Sequence, residues 1–329
     1  MSSTTKVAVP NVVLQSSISM PVIGLGTAAE SNDGEAIKQA VIEAIKVGYR
    51  HFDTASAYES EQALGEAIAE SLKLGLIGSR DELFITSKLW LPDNHPHLVL
   101  PALQKSLEYA TLYCSNFTSK TLRLDYLDLY LVHWPMSAKP GTWKVPFEQE
   151  DLVPFDLKGV WTSMEECQNM GLTKSIGVSN FSTKKLEDLL SFATIPPSVN
   201  QVEMNASWQQ KNLTEYCKAK GIIITAYSPL GAQGTRWGSN DVIDSELLKD
   251  IAQVHGKTVA QVSLRWLYEQ GVTIVVKSYN KERIKQNLDI FDFSLTNDDY
   301  QKIRQIQQER KVKNGPAGFD VIDLWDGEN

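Results

Sequence analysis

In the stretch HFDTASAYESEQ, Asp53 stands five positions before Tyr58. A tyrosine with an ordinary pKa of about 10 is a poor acid at neutral pH, unless a nearby cation stabilises the phenolate that it leaves behind. LFITSKLW supplies such a cation in Lys88, and YLDLYLVHWP supplies His133. Brought together, the four side chains could protonate a carbonyl oxygen as it becomes an alkoxide. Lys88 would lower the pKa of Tyr58 by about 1 to 3 units, Asp53 would keep Lys88 charged, and His133 would donate a second hydrogen bond to the same oxygen. Each residue also has a plainer role taken singly. Asp53 could cap a turn, Lys88 could snorkel, and His133 beside Trp134 and Pro135 could be a satisfied core histidine.

Something must gather residues that lie so far apart in sequence. Short apolar runs rich in β-branched residues recur along the chain: PVIGLGT, RHFDTA, LFITSKLW, YLDLYLVHWP, SIGVSNF, VNQVEMN, IIITAYSPL and VTIVVKS. Segments of helical spacing separate them, among them DGEAIKQAVIEAIKVG, SEQALGEAIAESL, HLVLPALQKSLEYA, TKKLEDLLSF, NLTEYCKAKG and KERIKQNL, and several end in a C-cap glycine. Eight strands alternating with helices predict a closed α/β architecture, the (β/α)8 TIM barrel. The competing doubly wound sheet usually announces itself by G-x-G-x-x-G after the first strand, where this chain has only Gly24-Leu25-Gly26. We expect a single domain over residues 1–329, with an N-terminal hairpin (VPNVVLQSSISMP) and a C-terminal tail from about residue 295 lying over the active face.

The C-terminal ends of barrel strands form the active face. In chain order those ends carry Asp53 with Tyr58, then Lys88, His133, Ser179 and Asn180, Gln201 and Asn205, Tyr227 and Ser228, and Lys277 and Ser278. A rim facing a polar ligand would collect such residues.

Composition narrows the function classes. The net charge of -8 argues against broad binding to nucleic acid or anionic membrane. No run is long enough to span a bilayer, and the start of the chain lacks the pattern of a secretory signal. Three widely spaced cysteines, Cys114, Cys167 and Cys217, fit reduced thiols in the cytosol better than a disulfide framework or a zinc site. The expectation is a cytoplasmic monomer without a metal, acting on a small molecule.

The segments GYRHFDTASAYESEQALGEAI, LFITSKLW, LDLYLVHWP, SIGVSNF, AYSPLG and KSYNKERIKQN occur in the order of the aldo-keto reductase superfamily, which the chain resembles over nearly its whole length. The resemblance implies a barrel that binds NADPH and reduces a ketone or aldehyde, with Asp53, Tyr58, Lys88 and His133 as catalytic tetrad. It implies that Gly26, Thr27 and Asp53 border the cofactor, that Ser179, Asn180 and Gln201 hold the nicotinamide carboxamide, and that Tyr227 stacks on its ring. Ser228, Leu230 and Ala232 would follow the pyrophosphate. Lys277, Ser278 and Arg283 would grip the 2'-phosphate, with Gln286 and Asn287 near the adenine. A small basic site in an acidic chain suits phosphate recognition.

HPHLVLPALQKSL and QVSLRWLYEQGV are similar to the plant branch that contains chalcone (polyketide) reductase, codeinone reductase and methylecgonone reductase, and AYSPLGAQGTRWG is more similar to the alkaloid-ketone reductases. The implied substrate is therefore an alkaloid ketone of plant specialised metabolism, with a polyketide as the alternative. Tyr58, Trp90, His133, Trp134 and Trp237 would contact it, together with tail residues, since aromatic walls suit a flat or bicyclic ketone. One departure from the pattern is an insertion, Tyr109 to Lys120, whose first residues continue the stripe of Leu103 and Leu107 and predict a longer third helix and loop. Two other classes stay open: a class I aldolase using Lys88 as a Schiff base, and a non-catalytic relative that only binds NADPH.

Overall fold

The computed structural model describes residues 8–28, 33–108, 121–235 and 238–328. The chain opens with a hairpin of β1 (Asn11–Val13) and β2 (Ser19–Pro21), then runs through β3 (Ile23–Gly26), α1 (Gly34–Val47), β4 (His51–Asp53), α2 (Glu61–Lys73), β5 (Phe84–Leu89), α3 (Pro96–Leu107) and β6 (Leu129–Val132). A small antiparallel pair, β7 (Ser137–Ala138) and β8 (Leu152–Val153), precedes α4 (Leu157–Asn169), β9 (Ile176–Ser179), α5 (Thr183–Leu190), β10 (Val199–Glu203), α6 (Lys211–Lys220) and β11 (Ile223–Tyr227). Then follow α7 (Glu246–His255), α8 (Val259–Glu269), β12 (Thr273–Val276), α9 (Lys281–Leu288) and α10 (Asn297–Arg304).

The eight predicted runs become β3, β4, β5, β6, β9, β10, β11 and β12, which pair in parallel and close on themselves. Closure excludes the doubly wound sheet. Nearly every residue of these strands is buried, because helices cover the outside while side chains from neighbouring strands fill the inside. The helices turn apolar stripes inward, for instance Val41, Ala44 and Ile45 of α1 and Leu64, Ala67 and Ile68 of α2. Several of them start at side-chain caps: Asp33 accepts from the Ala36 amide, and Thr258 with Gln261 forms a capping box on α8.

The hairpin closes the N-terminal mouth. Leu14 and Met20 bury against Phe84, Leu129, Leu131 and Val199 at the floor of the barrel. The opposite mouth is crossed by the tail, which differs from the sequence expectation in one respect: residues 297–304 first form the amphipathic α10, and only the segment after it is irregular.

The ends of the insertion lie together. The Leu122 amide donates to the Ser106 carbonyl at 2.9 Å, and the Thr121 hydroxyl donates to the Glu108 carbonyl at 2.6 Å. Residues 109–120 themselves, on which the expected helix extension falls, lie outside the described residues.

Candidate active site

Asp53 is the last residue of β4 and pairs in register with Thr86 of β5. Side chains two apart on a strand share a face, so Lys88 falls on the same side as Thr86, next to Asp53. Its Nζ donates to Asp53 Oδ1 at 2.5 Å and to the Thr54 carbonyl at 2.9 Å. Across the barrel, Gln201 Nε2 of β10 donates to Asp53 Oδ2 at 2.8 Å, so both carboxylate oxygens are engaged. Lys88 is 0% exposed and Asp53 3%. A buried charge pair is tolerable only when fully hydrogen-bonded in this way.

After β4 the chain makes a single 3-10 turn, Ser56–Tyr58, held to β5 by the Ser56 hydroxyl donating to the Lys88 carbonyl at 3.2 Å. Glu59 then takes a left-handed backbone at φ 53°. This turn carries Tyr58 back toward the barrel axis, with its ring centroid 4.9 Å from Lys88 Nζ and its hydroxyl 3.3 Å from Nε2 of His133. His133 follows β6, and its amide donates to the Leu89 carbonyl at 3.2 Å. Its Nδ1 has no partner among the described residues.

Burial pushes His133 well below the ordinary imidazole value, and the Lys88 charge pushes it the same way. The ring is therefore neutral near pH 7. Burial opposes the charge on Lys88, but the Asp53 carboxylate and Tyr58 outweigh it and hold the ammonium above its usual value. Such a lysine is a poor Schiff-base nucleophile, which removes the aldolase alternative. For Tyr58 the direction corrects the sequence expectation: burial raises the phenol, the Lys88 charge pulls it down, Asp53 adds to the rise, and the net shift is upward. Lys88 is the right neighbour, but taking the phenol out of water outweighs it.

The remaining predicted positions sit on the same face. The Ser179 hydroxyl donates to the Gln201 carbonyl at 2.8 Å, Asn180 Nδ2 donates to the His133 carbonyl at 2.9 Å, and the Tyr227 hydroxyl donates to Asn180 Oδ1 at 2.7 Å. Asn180, Ser228 and Ala232 hold left-handed backbones, at φ 64°, 49° and 54°. Strain at three non-glycine residues on one rim marks loops shaped for a ligand. Asn205 pins the turn after β10 by donating to the Ser228 carbonyl at 3.2 Å. Thr27 follows Gly26 at the end of β3, and its amide donates to the Asp53 carbonyl at 3.0 Å. Leu230 packs against the main core.

Lys277, Arg283 and Gln286 are exposed, whereas Ser278 and Asn287 are buried. Among the described residues neither Lys277 nor Arg283 forms an ion pair. Asn280 caps α9 by accepting the Arg283 amide at 3.0 Å, which places Arg283 in the first turn, where the helix field also favours an anion. Two cations without an ion pair among the described residues, Arg283 in the first turn of the capped α9 and Lys277 on the loop before it, fit a phosphate group, and the amide side chains of Asn180, bonded to Tyr227, and of Gln201 fit a carboxamide. The residues present therefore suit a phosphorylated nicotinamide cofactor.

Trp90 and Trp134 are buried in one cluster with Met136, Phe147, Leu324 and Trp325. Trp90 lies 5.0 Å from the His133 ring and Trp134 lies 5.9 Å from Trp325, centre to centre. Trp237 lies outside the described residues. Phe147 and Trp325 were not singled out from the sequence. They reach the site through a long loop and the tail, where periodicity gives no address, although the apolar residues around Trp325, Val321, Ile322 and Leu324, are themselves a signal. Gly315 allows the crossing: its φ is 59°, and a Cβ there would stand 2.8 Å from the Trp134 ring.

The tail is tacked down by an unanticipated residue, Glu203 at the end of β10, whose carboxylate accepts the amides of Lys311 at 3.2 Å and Val312 at 2.9 Å. Its far end is held at the start of α5, where Asp326 accepts from Ser182 and Lys185 at 2.5 Å each and Glu328 accepts the Thr183 amide at 2.8 Å. Among the described residues no group of three or more acidic, histidine or cysteine side chains is placed to hold a metal, and no helix is long and apolar enough to cross a membrane.

The aldo/keto reductase family profile matches residues 22–308. The chain is 58% identical over 325 residues to an NAD(P)H-dependent 6'-deoxychalcone synthase of Glycine max, covering 98% of each chain. It is 57% identical to a (1S)-1,7-diacetoxy-luvungin A aldo-keto reductase of Citrus sinensis, covering 94% of this chain and 95% of that one. A crystal structure of a Bombyx mori aldo-keto reductase in complex with NADP superposes with a TM-score of 0.81 at 36% identity, covering 92% and 95% of the two chains. With the profile spanning most of the barrel and plant relatives matched nearly end to end, this chain belongs to the aldo/keto reductase family, in its plant branch.

Proposed function

We propose that the protein is an NADPH-dependent carbonyl reductase in which Tyr58 is the general acid, acting as a cytosolic, single-domain monomer. The observation that carries this reading is the buried Asp53–Lys88 pair at 2.5 Å behind a tyrosine whose hydroxyl meets a neutral histidine. When bound, NADPH supplies the hydride. A carbonyl oxygen seated between the Tyr58 hydroxyl and His133 Nε2 would accept a hydrogen bond from each. Because burial raises the phenol, Tyr58 keeps its proton through the neutral range and gives it up only to a stronger base, which a nascent alkoxide is. The phenolate left behind faces the Lys88 ammonium, held charged by Asp53. Gln201 fixes Asp53, and Trp90 packs on His133, so the donors are oriented before the substrate arrives. Ser179, Asn180 and Tyr227 would position the nicotinamide, and Lys277, Ser278 and Arg283 the 2'-phosphate. Cys167 and Cys217 are free and buried, as suits a reducing compartment.

The substrate we propose is a flat or polycyclic ketone of plant specialised metabolism. The Trp90, Trp134 and Trp325 walls support an aromatic or fused-ring shape. The alkaloid-ketone expectation rests on the loop after β11. The similarity to a deoxychalcone synthase and a luvungin reductase favours the wider class, with a polyketide ketone as its second member. NADPH consumption by the full chain with a panel of polyketide, tropane and morphinan ketones and a simple aromatic aldehyde tests this. Turnover of the aldehyde and at least one ketone is expected. Loss of no NADPH with any of them would overturn the proposal.

A further inference from the structure

Ser60 stands where a capping side chain for α2 is expected, and it does not cap the helix. Its backbone is helical at φ -101° and ψ -3°, and its hydroxyl makes no bond to the first turn. Instead that hydroxyl lies 2.8 Å from Thr27 Oγ1 and 2.9 Å from Thr54 Oγ1, and all three side chains are buried completely. Thr27 ends the series by donating to the Asp53 carbonyl at 3.1 Å, where its own amide donates as well at 3.0 Å. Each hydroxyl has one proton to give. With the Thr27 proton spent on Asp53, Ser60 donates to Thr27 and Thr54 donates to Ser60, so the three bonds run in one direction and polarise one another.

This series of bonds joins parts of the catalytic centre that the strands alone leave separate. Thr54 directly follows Asp53, and its carbonyl accepts the Lys88 ammonium at 2.9 Å. Residues 55–59, between Thr54 and Ser60, are the turn that carries Tyr58, so the Thr54–Ser60 bond closes that turn at its two ends. Inside it, the Tyr58 amide donates to the Ala55 carbonyl at 3.0 Å, and the left-handed Glu59 leads the chain into Ser60. Neighbouring Glu61 anchors the start of α2 separately, accepting the Ser87 hydroxyl of β5 at 2.6 Å. Helix α2 therefore keeps a hold on the barrel when the Ser60 hydroxyl is removed, and what is lost is the tie across the turn.

We propose that Ser60 is a positioning residue for the proton transfer: it locks the turn that holds Tyr58 to the strand ends that hold Asp53 and Lys88, so that the phenol hydroxyl stays in register with His133. The tolerance is small. Tyr58 meets Lys88 through its ring at 4.9 Å and His133 through its hydroxyl at 3.3 Å, and a displacement of about 1 Å can cost a reacting group about 100-fold. Packing of the turn does not supply this precision, because none of the residues Ser56–Tyr58 is fully buried, whereas the three hydroxyls beneath them are enclosed. This inference rests on the reading of Tyr58 as general acid.

Ser60→Ala, Thr54→Val and Thr54→Ser in the full chain, each alone and combined with Tyr58→Phe, test this by single-turnover and steady-state reduction of an aromatic aldehyde with NADPH. Thr54→Val removes a hydroxyl at nearly constant shape, and Thr54→Ser keeps it. Ser60→Ala and Thr54→Val should each lower kcat about 5- to 20-fold, with KM and NADPH affinity within about threefold of wild type, and Thr54→Ser should bring kcat back to within about threefold. Because Ser60 acts through the Tyr58 hydroxyl, Ser60→Ala placed on Tyr58→Phe should cost less than about twofold more. A general loosening of the fold would give the same factor on both backgrounds. If Ser60→Ala does not fold, Thr54→Val and Thr54→Ser make the same comparison. Wild-type kcat in Ser60→Ala and Thr54→Val, or undiminished losses on the Tyr58→Phe background, would overturn the inference while leaving carbonyl reduction standing. Near-native turnover of Tyr58→Phe itself would instead strike at the general-acid reading, and the inference would fall with it.

Discussion

Asp53→Asn changes one atom and isolates a charge. In the native chain Asp53 Oδ1 takes the Lys88 ammonium at 2.5 Å and Oδ2 takes the Gln201 amide at 2.8 Å. The asparagine can keep its oxygen toward Gln201, but its NH2 then faces Lys88 Nζ, donor against donor. Lys88 retains the Thr54 carbonyl at 2.9 Å and no anion. Breaking one side of a buried ion pair typically costs about 3 to 5 kcal/mol. The signs follow from linkage. Native Lys88 is held above its unfolded value of 10.5, so its contribution is complete throughout the neutral range and is lost only as the pH rises through the folded value. In the variant the Asp53 charge is gone and burial, the largest influence, outweighs what Tyr58 and the Thr54 carbonyl still contribute, so the folded value drops below the unfolded one, and stability falls as the pH is lowered from about 10 until Lys88 charges in the folded state as well. Wild-type turnover is expected to be flat through the neutral range, whereas that of the variant should decline as the pH rises past the new Lys88 value, because a neutral amine no longer stabilises the Tyr58 phenolate. Melting curves and kcat/KM between about pH 6 and 9 read both effects, with a melting temperature lower by roughly 4 to 7 °C at pH 7. A variant that melts with wild type and keeps its flat profile would refute the claim that Asp53 holds the Lys88 charge.

Arg283→Ala should weaken NADPH binding about 10- to 100-fold and leave NADH nearly unchanged, because the exposed guanidinium at the start of α9 reads only the extra phosphate; fluorescence titration with both cofactors checks this, and equal losses would contradict it. Deleting residues 109–120, so that Glu108 joins Thr121, should leave kcat/KM for a common ketone within about threefold and keep or raise the melting temperature, since loop closure penalises a dozen extra residues weakly and the flanking groups already bond to each other. A large loss of activity in a folded deletion variant would show that the insertion communicates with the site.

The barrel was legible because its determinants are local. Val, Ile and Leu runs bounded by glycine and polar residues mark strands, and polar residues just past them mark the rim, so Asp53, Lys88, His133, Ser179 and Tyr227 could be placed on one face before any coordinates. The direction of the Tyr58 shift was not legible: it is the difference between burial and the field of Lys88, and only the structure shows how far the partly buried phenol is withdrawn from water. Nor was the route of the tail. Arg310, Val312 and Trp325 lie in a segment without periodicity, and its path depends on Glu203, more than a hundred residues earlier, accepting two main-chain amides. Even α10 has few apolar side chains, Tyr300 and Ile303 among them, although the Thr296–Asp299 capping box that starts it is present in the sequence.

The central claim is that Tyr58 delivers the proton. Tyr58→Phe keeps the ring that packs at His133 and removes only the hydroxyl, so single-turnover and steady-state reduction of an aromatic aldehyde, measured beside NADPH affinity, isolate that proton. The account predicts a turnover number lower by about 100-fold or more, as is usual when a general acid is lost, with NADPH affinity within about twofold of wild type. Near-native turnover in the folded variant would contradict it.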